Sequence, residues 1–519
     1  MDGSFASGFK RNAERLGPSA ALIDARTDVT LSHRELDALM ARFRRFFRDN
    51  GLGVGDRLVS FLPNSIECLL AFLGTASAQG DFAPLSPDSS EREAGGWLEM
   101  VRPKLCLVAR GAVGRHVDIM RAGGVKIVEI DLDCAFAWLP ASEADWAKEA
   151  GRLLLKTSGT TGEPKALVFS IDHLWASATA FMSLHPAVDN SSRFLNLLPM
   201  AYLGGLFNLC IIPLNVGGSV VVAEPFSGKT FLSFWQTVDR FDITVLWLVP
   251  SIVRGLTQFA VRAKPEDNRA RAKNVTLCFL GTAPIAPAEK VEFEQAFGIA
   301  LLENFALSET TFLTSETQPV SPDAQLRHSG RPVPYAEFRF LPLSSEDLVQ
   351  SGAAAGSGEI AVKTPYFWLG YLGKDGSISR PLDAEGFLRT GDVGRFLPDG
   401  SLMVEGRLRD FVKRGGYFVG LREIELAAER LPLIVEAAAV GMPHKFYGEA
   451  IYLFAKFKDG TSPADGLVKA EEWLRNNLAR HTWVEKVISV DQLPRTASGK
   501  VQKHLLRERL AELEQAASL

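Results

Sequence analysis

Leu153 to Ser170, LLLKTSGTTGEPKALVFS, is the stretch from which the rest of the 519-residue chain is read. Leu153 to Leu155 is an apolar run short enough for a buried strand. Thr157, Ser158, Gly159, Thr160, Thr161 and Gly162 follow, a segment of hydroxyls and glycines with almost no bulk. The glycines let the backbone take positive φ and approach a ligand closely, while successive N–H groups and the hydroxyls supply donors. Lys165 adds a point charge just beyond. An anion with several oxygens, such as a polyphosphate, suits such a loop.

A Ser/Thr/Gly-rich surface turn uses the same residue types, so the order of residues carries the reading. The stretch is not the P-loop G-x-x-x-x-G-K-[ST]. Ser227-Gly228-Lys229-Thr230 ends like that loop, but Ala223 stands where its first glycine belongs. Gly51, Gly53 and Gly55 miss the dinucleotide fingerprint because the third glycine comes one residue early.

TSGTTGEPK resembles the phosphate loop of the adenylate-forming superfamily: acyl-CoA synthetases, amino-acid adenylation domains and luciferases. Other motifs of that family follow in its fixed order. Phe305 to Thr310, FALSET, is similar to YG-x-[ST]-E-[ST], and Gly386 to Gly394, GFLRTGDVG, to GW-x-RTGD-x-G. Gly406 to Glu425 is similar to the GR-x-[DK]-D-x-[IV]-K-x-x-G segment that ends in E-I-E. Pro494 to Lys500, PRTASGK, resembles the closing P-[RK]-T-x-[ST]-GK. The motifs span nearly the whole chain, and the pattern is nearest to the acyl-CoA synthetases.

Length and composition agree. A chain this long divides into at least two domains. Hydrophobic content of 46% with 23% charged residues is ordinary for a globular protein. A net charge of −4 argues against a nucleic-acid partner, which wants a concentrated basic face. Cys68, Cys106, Cys134, Cys210 and Cys278 are scattered without C-x-x-C spacing, the pattern of reduced core thiols and a cytoplasmic location. The N-terminal residues lack the apolar core of a signal peptide. No apolar run approaches the ~20 residues that span a bilayer.

Along the chain, Leu36, Leu39, Met40, Phe43, Phe46 and Phe47 recur at helical spacing, so their rings belong to a core. Arg57 to Leu62 reads as a strand, Ser65 to Ala78 and Ile171 to Leu184 as helices, and Phe241 to Pro250 and Val275 to Leu280 as strand candidates. Alternating helices and short apolar strands predict an α/β fold with a mostly parallel sheet covered on both faces. Val501 to Ala517 reads as a closing helix. The resemblance implies a large N-terminal domain, 1–408, of layered helices and mostly parallel sheets. It also implies a small mobile C-terminal α/β domain, 409–519, turning on a hinge at Arg409.

The resemblance also assigns roles. Thr157, Ser158, Gly159, Thr160, Thr161 and Lys165 would hold the β- and γ-phosphates of ATP, and Glu309 the Mg²⁺ ion, a hard cation that prefers oxygen ligands. Gly281, Thr282 and Ala283 form the turn beside the adenine, with Phe305 opposite and Ser308 nearby. Phe305 replaces the usual tyrosine, which keeps stacking and loses a phenol hydrogen bond. Asp392 would accept the ribose hydroxyls, with Arg407 reaching the sugar or the α-phosphate. Lys500 would place its ammonium between the substrate carboxylate and the α-phosphate. Tyr202 stands where most acyl-CoA synthetases have histidine, and Ala306 replaces a glycine on the acyl side. Gly415 and Gly416 would face the thiol, either coenzyme A or a carrier-protein phosphopantetheine.

The chemistry so implied is attack of a carboxylate on the α-phosphorus of ATP, release of pyrophosphate, and transfer of the acyl group to a thiol. Adenylation domains for amino acids carry an acid for the substrate ammonium. Here Ala201-Tyr202-Leu203 has none nearby in sequence before Glu224, and an ammonium buried without a counter-charge is costly. The expected substrate is a small carboxylic acid without an α-amino group. Coenzyme A as acceptor is the first reading, and a stand-alone enzyme loading an acyl carrier protein the second. A non-catalytic nucleotide-binding homologue is the third, against which Glu309, Asp392, Arg407 and Lys500 all argue.

Overall fold

Runs such as Ser219–Val222 and Val245–Leu248 are buried at every position, as strands covered on both faces must be. The computed structural model describes residues 4–517 apart from 113–114, 134–135, 137–138, 142–148, 158–164, 261–263, 282–284, 319–327, 343–355, 415–416, 446–447, 479 and 496–500. The chain forms two units, Met1–Asp323 with Thr364–Pro381, and Ala324–Lys363 with Leu382–Leu519.

In the first unit a seven-stranded sheet runs in the order Leu301–Glu303, Leu277–Leu280, Val245–Leu248, Arg193–Asn196, Ser219–Val222, Ala20–Asp24, Thr30–Ser32. Every neighbouring pair is parallel except the last. From Arg193–Asn196 the chain passes to Ser219–Val222 on one side, then crosses back to Val245–Leu248 on the other. A reversal of this kind opens a crevice at the carboxyl ends of two adjacent strands. Here those ends are Asn196 and Leu248.

The second sheet of this unit has eight strands: Ile378–Ser379, Gly370–Leu372, Lys165–Ser170, Arg152–Thr157, Asp81–Pro84, Arg57–Phe61, Leu105–Ala109, Lys126–Ile130. From Arg152–Thr157 onward the neighbours are parallel. The first three strands are antiparallel additions. Thr157 pairs with Lys165, so the hydroxyl-rich segment joins the two strands of a hairpin. So short a connection permits nothing else, since parallel neighbours need a crossover of a dozen or more residues. Helix Ile66–Ser77 is buried along its whole length and touches strands of both sheets. Its predominantly apolar surface fills the space between the layers.

The amphipathic helix expected around Leu36 is His33–Asp49, opened by a capping box between Ser32 and Glu35. Leu36, Leu39, Met40, Phe43 and Phe47 are buried, as their spacing requires, whereas Phe46, also expected in the core, is only half-buried.

The second unit holds an antiparallel sheet in the order Glu337–Leu341, Gly358–Lys363, Leu388–Phe396, Leu402–Arg407. It also holds a five-stranded sheet built on the long pair Ile434–His444 and Gly448–Phe457. Helices Leu421–Glu429, Pro463–Asn477 and Lys503–Ala517 accompany the latter. Two apolar clusters on this second sheet draw only on residues from Val412 to Leu510. The piece beyond Arg409 therefore has its own core. On the closing helix Leu506 and Leu510 are buried, while Leu505 and Leu513 face solvent. The mixed α/β class and the large-plus-small organisation expected from the sequence are both present. Among the described residues no helix is long and apolar enough to cross a membrane.

Candidate active site

At the carboxyl end of the strand Arg193–Asn196 the chain continues into Leu197–Gly205. Asn64 grips this segment as a peptide would: its Nδ2 donates to the Leu198 carbonyl at 2.9 Å, and its Oδ1 accepts from the Met200 N–H at 2.9 Å. Asn196 Nδ2 donates to the carbonyls of Gly205 and Leu209 and anchors the start of a π-helix, Gly204–Ile211. Such helices are rare and often sit at functional sites. Half-buried Tyr202 is thus carried on a doubly anchored loop. Burial, and then the charge of Glu93, push its phenol pKa up. Glu93 itself is paired with Lys156 at 2.7 Å.

The next two strand ends lie side by side. Gly281 follows Leu277–Leu280, and Asn304 follows Leu301–Glu303. Asn304 donates to the Leu280 carbonyl through its backbone N–H and its Nδ2. A Cβ on Gly281 would stand 2.8 Å from Asn304 Oδ1, so a side chain here would have to displace the Asn304 amide. Phe305, half-buried, is fixed by its own carbonyl, which accepts from Leu313 and Thr314.

Ala306–Leu307 and Thr311–Phe312 then form a tight hairpin in which Leu307 pairs with Thr311. Ser308, Glu309 and Thr310 make its three-residue tip. The residue that follows the tip, Thr311, takes the left-handed region at φ 58°. This is strained for a β-branched side chain. The buried Thr311 hydroxyl is held by Ser177 Oγ at 2.8 Å. Glu309, at the tip, accepts from Tyr371 Oη at 2.8 Å. The Lys165 ammonium lies 4.7 Å from the centre of the same tyrosine ring. Lys165 and Glu309, distant in sequence, therefore meet on one side chain. Burial, then the charge and hydrogen bond of Glu309, push the Tyr371 pKa up, so the hydroxyl is a standing donor.

In the second unit Asp392 and Arg407 are register partners on adjacent strands. Arg409 lies in the turn Leu408–Asp410, and its side chain is outside the described residues. Asp410 Oδ2 lies 3.8 Å from Lys503 Nζ, which pairs in turn with Glu425 at 2.8 Å. Arg495 and Val501 bridge across the segment that carries Lys500. Lys500 itself, Ser158, Gly159, Thr160, Thr161, Thr282, Ala283, Gly415 and Gly416 lie outside the described residues, as does the Thr157 side chain.

The donor set fits a metal–polyphosphate. Glu309 offers hard oxygen on the same tyrosine that a lysine at the foot of the hydroxyl-rich hairpin touches, and Mg²⁺ on nucleotides takes one or two carboxylates alongside phosphate and water. Sequence motifs do not single out Tyr371, Asn64, Asn304 or Glu93. Glu93 corrects the expectation from sequence in one respect, since an acid does lie near Tyr202. That acid already has Lys156 as its counter-charge.

Fold and site place the chain among the adenylate-forming enzymes. It belongs to the AMP-binding enzyme family, whose model matches residues 9–372; the model of the AMP-binding enzyme C-terminal domain matches residues 423–500. The chain is 26% identical to an oxalate–CoA ligase of Arabidopsis thaliana over 99% of its own length and 100% of the relative's. It is 27% identical to a sulfoacetate–CoA ligase of Cupriavidus necator, covering 88% of each. The crystal structure of ATP-bound MatB from Rhodopseudomonas palustris superposes with a TM-score of 0.83 at 26% identity, covering 98% of this chain and 99% of that one.

Proposed function

We propose that this protein is an AMP-forming acid–CoA ligase that activates a carboxylic acid lacking an α-amino group. The observation that carries the reading is the meeting of Lys165 and Glu309 on Tyr371, in a chain similar over its whole length to a CoA ligase. A carboxylate is a poor electrophile because its leaving group would be oxide; adenylation turns that oxide into AMP. The protein has to align the groups and offset charge.

In this reading the loop from Thr157 to Thr161 and Lys165 hold the β- and γ-phosphates. Glu309 would hold Mg²⁺, which when bound would neutralise phosphate charge. Gly281, Thr282 and Ala283 offer a thin backbone strip to the adenine, with Phe305 as its aromatic face and Ser308 alongside. Asp392 and Arg407 take the ribose, and Lys500 bridges the attacking carboxylate and the α-phosphate. Tyr202 and Ala306 wall the acyl group. Tyr202 acts as a surface and not as a base, because its phenol pKa is raised. The piece 409–519 turns about Arg409 and exchanges Lys500 for Gly415 and Gly416 at the adenylate. Buried Cys68, Cys106, Cys210 and Cys278 are unbridged, which supports a cytoplasmic location.

The relatives' use of coenzyme A favours it over a carrier-protein phosphopantetheine as the acceptor. Oxalate and sulfoacetate also lack α-amino groups, in line with the paired state of Glu93. Acid-dependent ATP–pyrophosphate exchange tests the proposal, over short dicarboxylates, sulfoacetate, aryl acids and the proteinogenic amino acids, followed by CoA with each active acid. Exchange with a plain acid and a CoA thioester product are expected. Exchange with an amino acid at the rate of the best plain acid would overturn the substrate class.

A further inference from the structure

We infer that Tyr371 is a positioning residue that fixes the Glu309 carboxylate and the Lys165 ammonium relative to one another, so that metal and polyphosphate are bound as one unit. The inference rests on the reading of Glu309 as the magnesium carboxylate.

The two groups belong to different hairpins. Lys165 begins the strand that leaves the hydroxyl-rich loop, and Glu309 stands at the tip of Ala306–Phe312. Tyr371 reaches both because of register. It pairs with Leu167 across the antiparallel strands, and Lys165, two residues before Leu167, is therefore its diagonal neighbour on the same face. That puts the ammonium over the aromatic ring. The hydroxyl, at the far end of the same rigid side chain, donates to Glu309 Oε1.

The segment around Tyr371 also grips Glu309 by its main chain, since the Trp368 N–H donates to the Glu309 carbonyl at 2.9 Å. Leu369 N–H donates to the Val168 carbonyl at 2.7 Å and ties the segment back to the strand of Lys165. Buried Trp368 packs edge-on against Tyr371, with ring centres 5.4 Å apart, and limits its rotamers. With Oε1 held by the Tyr371 hydroxyl, the orientation of the carboxylate is set. A hydrogen-bonding partner behind a ligating carboxylate commonly sets metal affinity in this way.

The test is MgATP binding by calorimetry on the full chain, with Mg²⁺ varied and no acid or CoA present. Tyr371→Phe keeps the ring under Lys165 and removes the donor to Glu309. The Mg²⁺ needed for half-maximal binding should rise about 10-fold, with the melting temperature unchanged. Glu309→Gln should raise it at least as far, and the double variant no further than Glu309→Gln alone. Tyr371→Leu, which also removes the ring, should in addition weaken ATP binding about 2–5-fold without metal. A Tyr371→Phe titration overlapping wild type, while Glu309→Gln shifts, overturns the inference. A Glu309→Gln titration overlapping wild type overturns the metal reading beneath it.

Discussion

Arg407 Nε stands 2.9 Å from Asp392 Oδ1, and the carboxylate so held is almost wholly buried whereas the guanidinium is partly exposed. The residue assigned to the ribose thus has its charge balanced from the next strand. Arg407→Met leaves the carboxylate in its buried site without this partner. Urea unfolding should show a loss of about 1–3 kcal/mol, and Asp392→Asn on top of Arg407→Met should recover part of it. Asp392→Asn alone should raise the KM for ATP about 10-fold, with kcat less affected.

His185 gives the fold a pH dependence of known sign. Burial lowers its pKa from 6.5 to about 4, and its Nε2 lies 3.1 Å from Ser315 Oγ. Between those pH values the unfolded chain binds the extra proton and the folded chain does not, so stability falls as pH drops below 6.5 and is unaffected above it. His185→Gln keeps a hydrogen-bonding group and removes the titration. The stability advantage of wild type over His185→Gln should shrink by about 2–3 kcal/mol between pH 7.5 and pH 4.5. A constant difference across that range would contradict a neutral buried imidazole.

Much of this was legible from the chain alone where the determining residues are close in sequence. Leu36, Leu39, Met40, Phe43 and Phe47 define their helix by spacing, and Ser65 caps Ile66–Ser77 within a residue of where that helix was expected to begin. Glu309 and Asp392 stand out because their neighbours in FALSET and RTGD are specific. Tyr371 could not be found so. Its meaning depends on pairing with Leu167 and on reaching Glu309, 62 residues away, and nothing about a Gly-Tyr-Leu strand announces either. Glu93 escaped for the same reason: it caps its own helix through Ser90, and only the packing of the sheet brings it near Tyr202. The antiparallel turn of Lys165–Ser170 is likewise a property of the short loop.

Lys500→Ala should separate the half-reactions. Acid-dependent pyrophosphate exchange should fall about 10²–10³-fold, the cost of one charge-stabilising donor. Transfer from a supplied acyl-adenylate to CoA should stay within a few-fold of wild type. Equal losses in both assays would contradict the assignment of Lys500 to adenylation alone.

Arg409→Pro tests the hinge. Arg407 is tied to Asp392 on the four-stranded sheet, whereas Asp410 is tied to Lys503 on the closing helix. The proposed rotation would take place between these two ties, at Leu408 and Arg409. Proline at 409 fixes φ near −65°. One half-reaction should be crippled by at least about 10-fold and the other spared, whichever arrangement is trapped. Wild-type rates in both would move the hinge elsewhere.

The most direct measurement is a single turnover with enzyme in excess over ATP labelled at the α-phosphate, with the best acid from the exchange panel, before and after CoA is added. Without CoA the account predicts acid-dependent pyrophosphate release and label held on the enzyme as acyl-adenylate. Addition of CoA should convert this to free AMP and one equivalent of acyl-CoA. Formation of ADP and phosphate, or label that moves to AMP at the same rate without any acid, would contradict it.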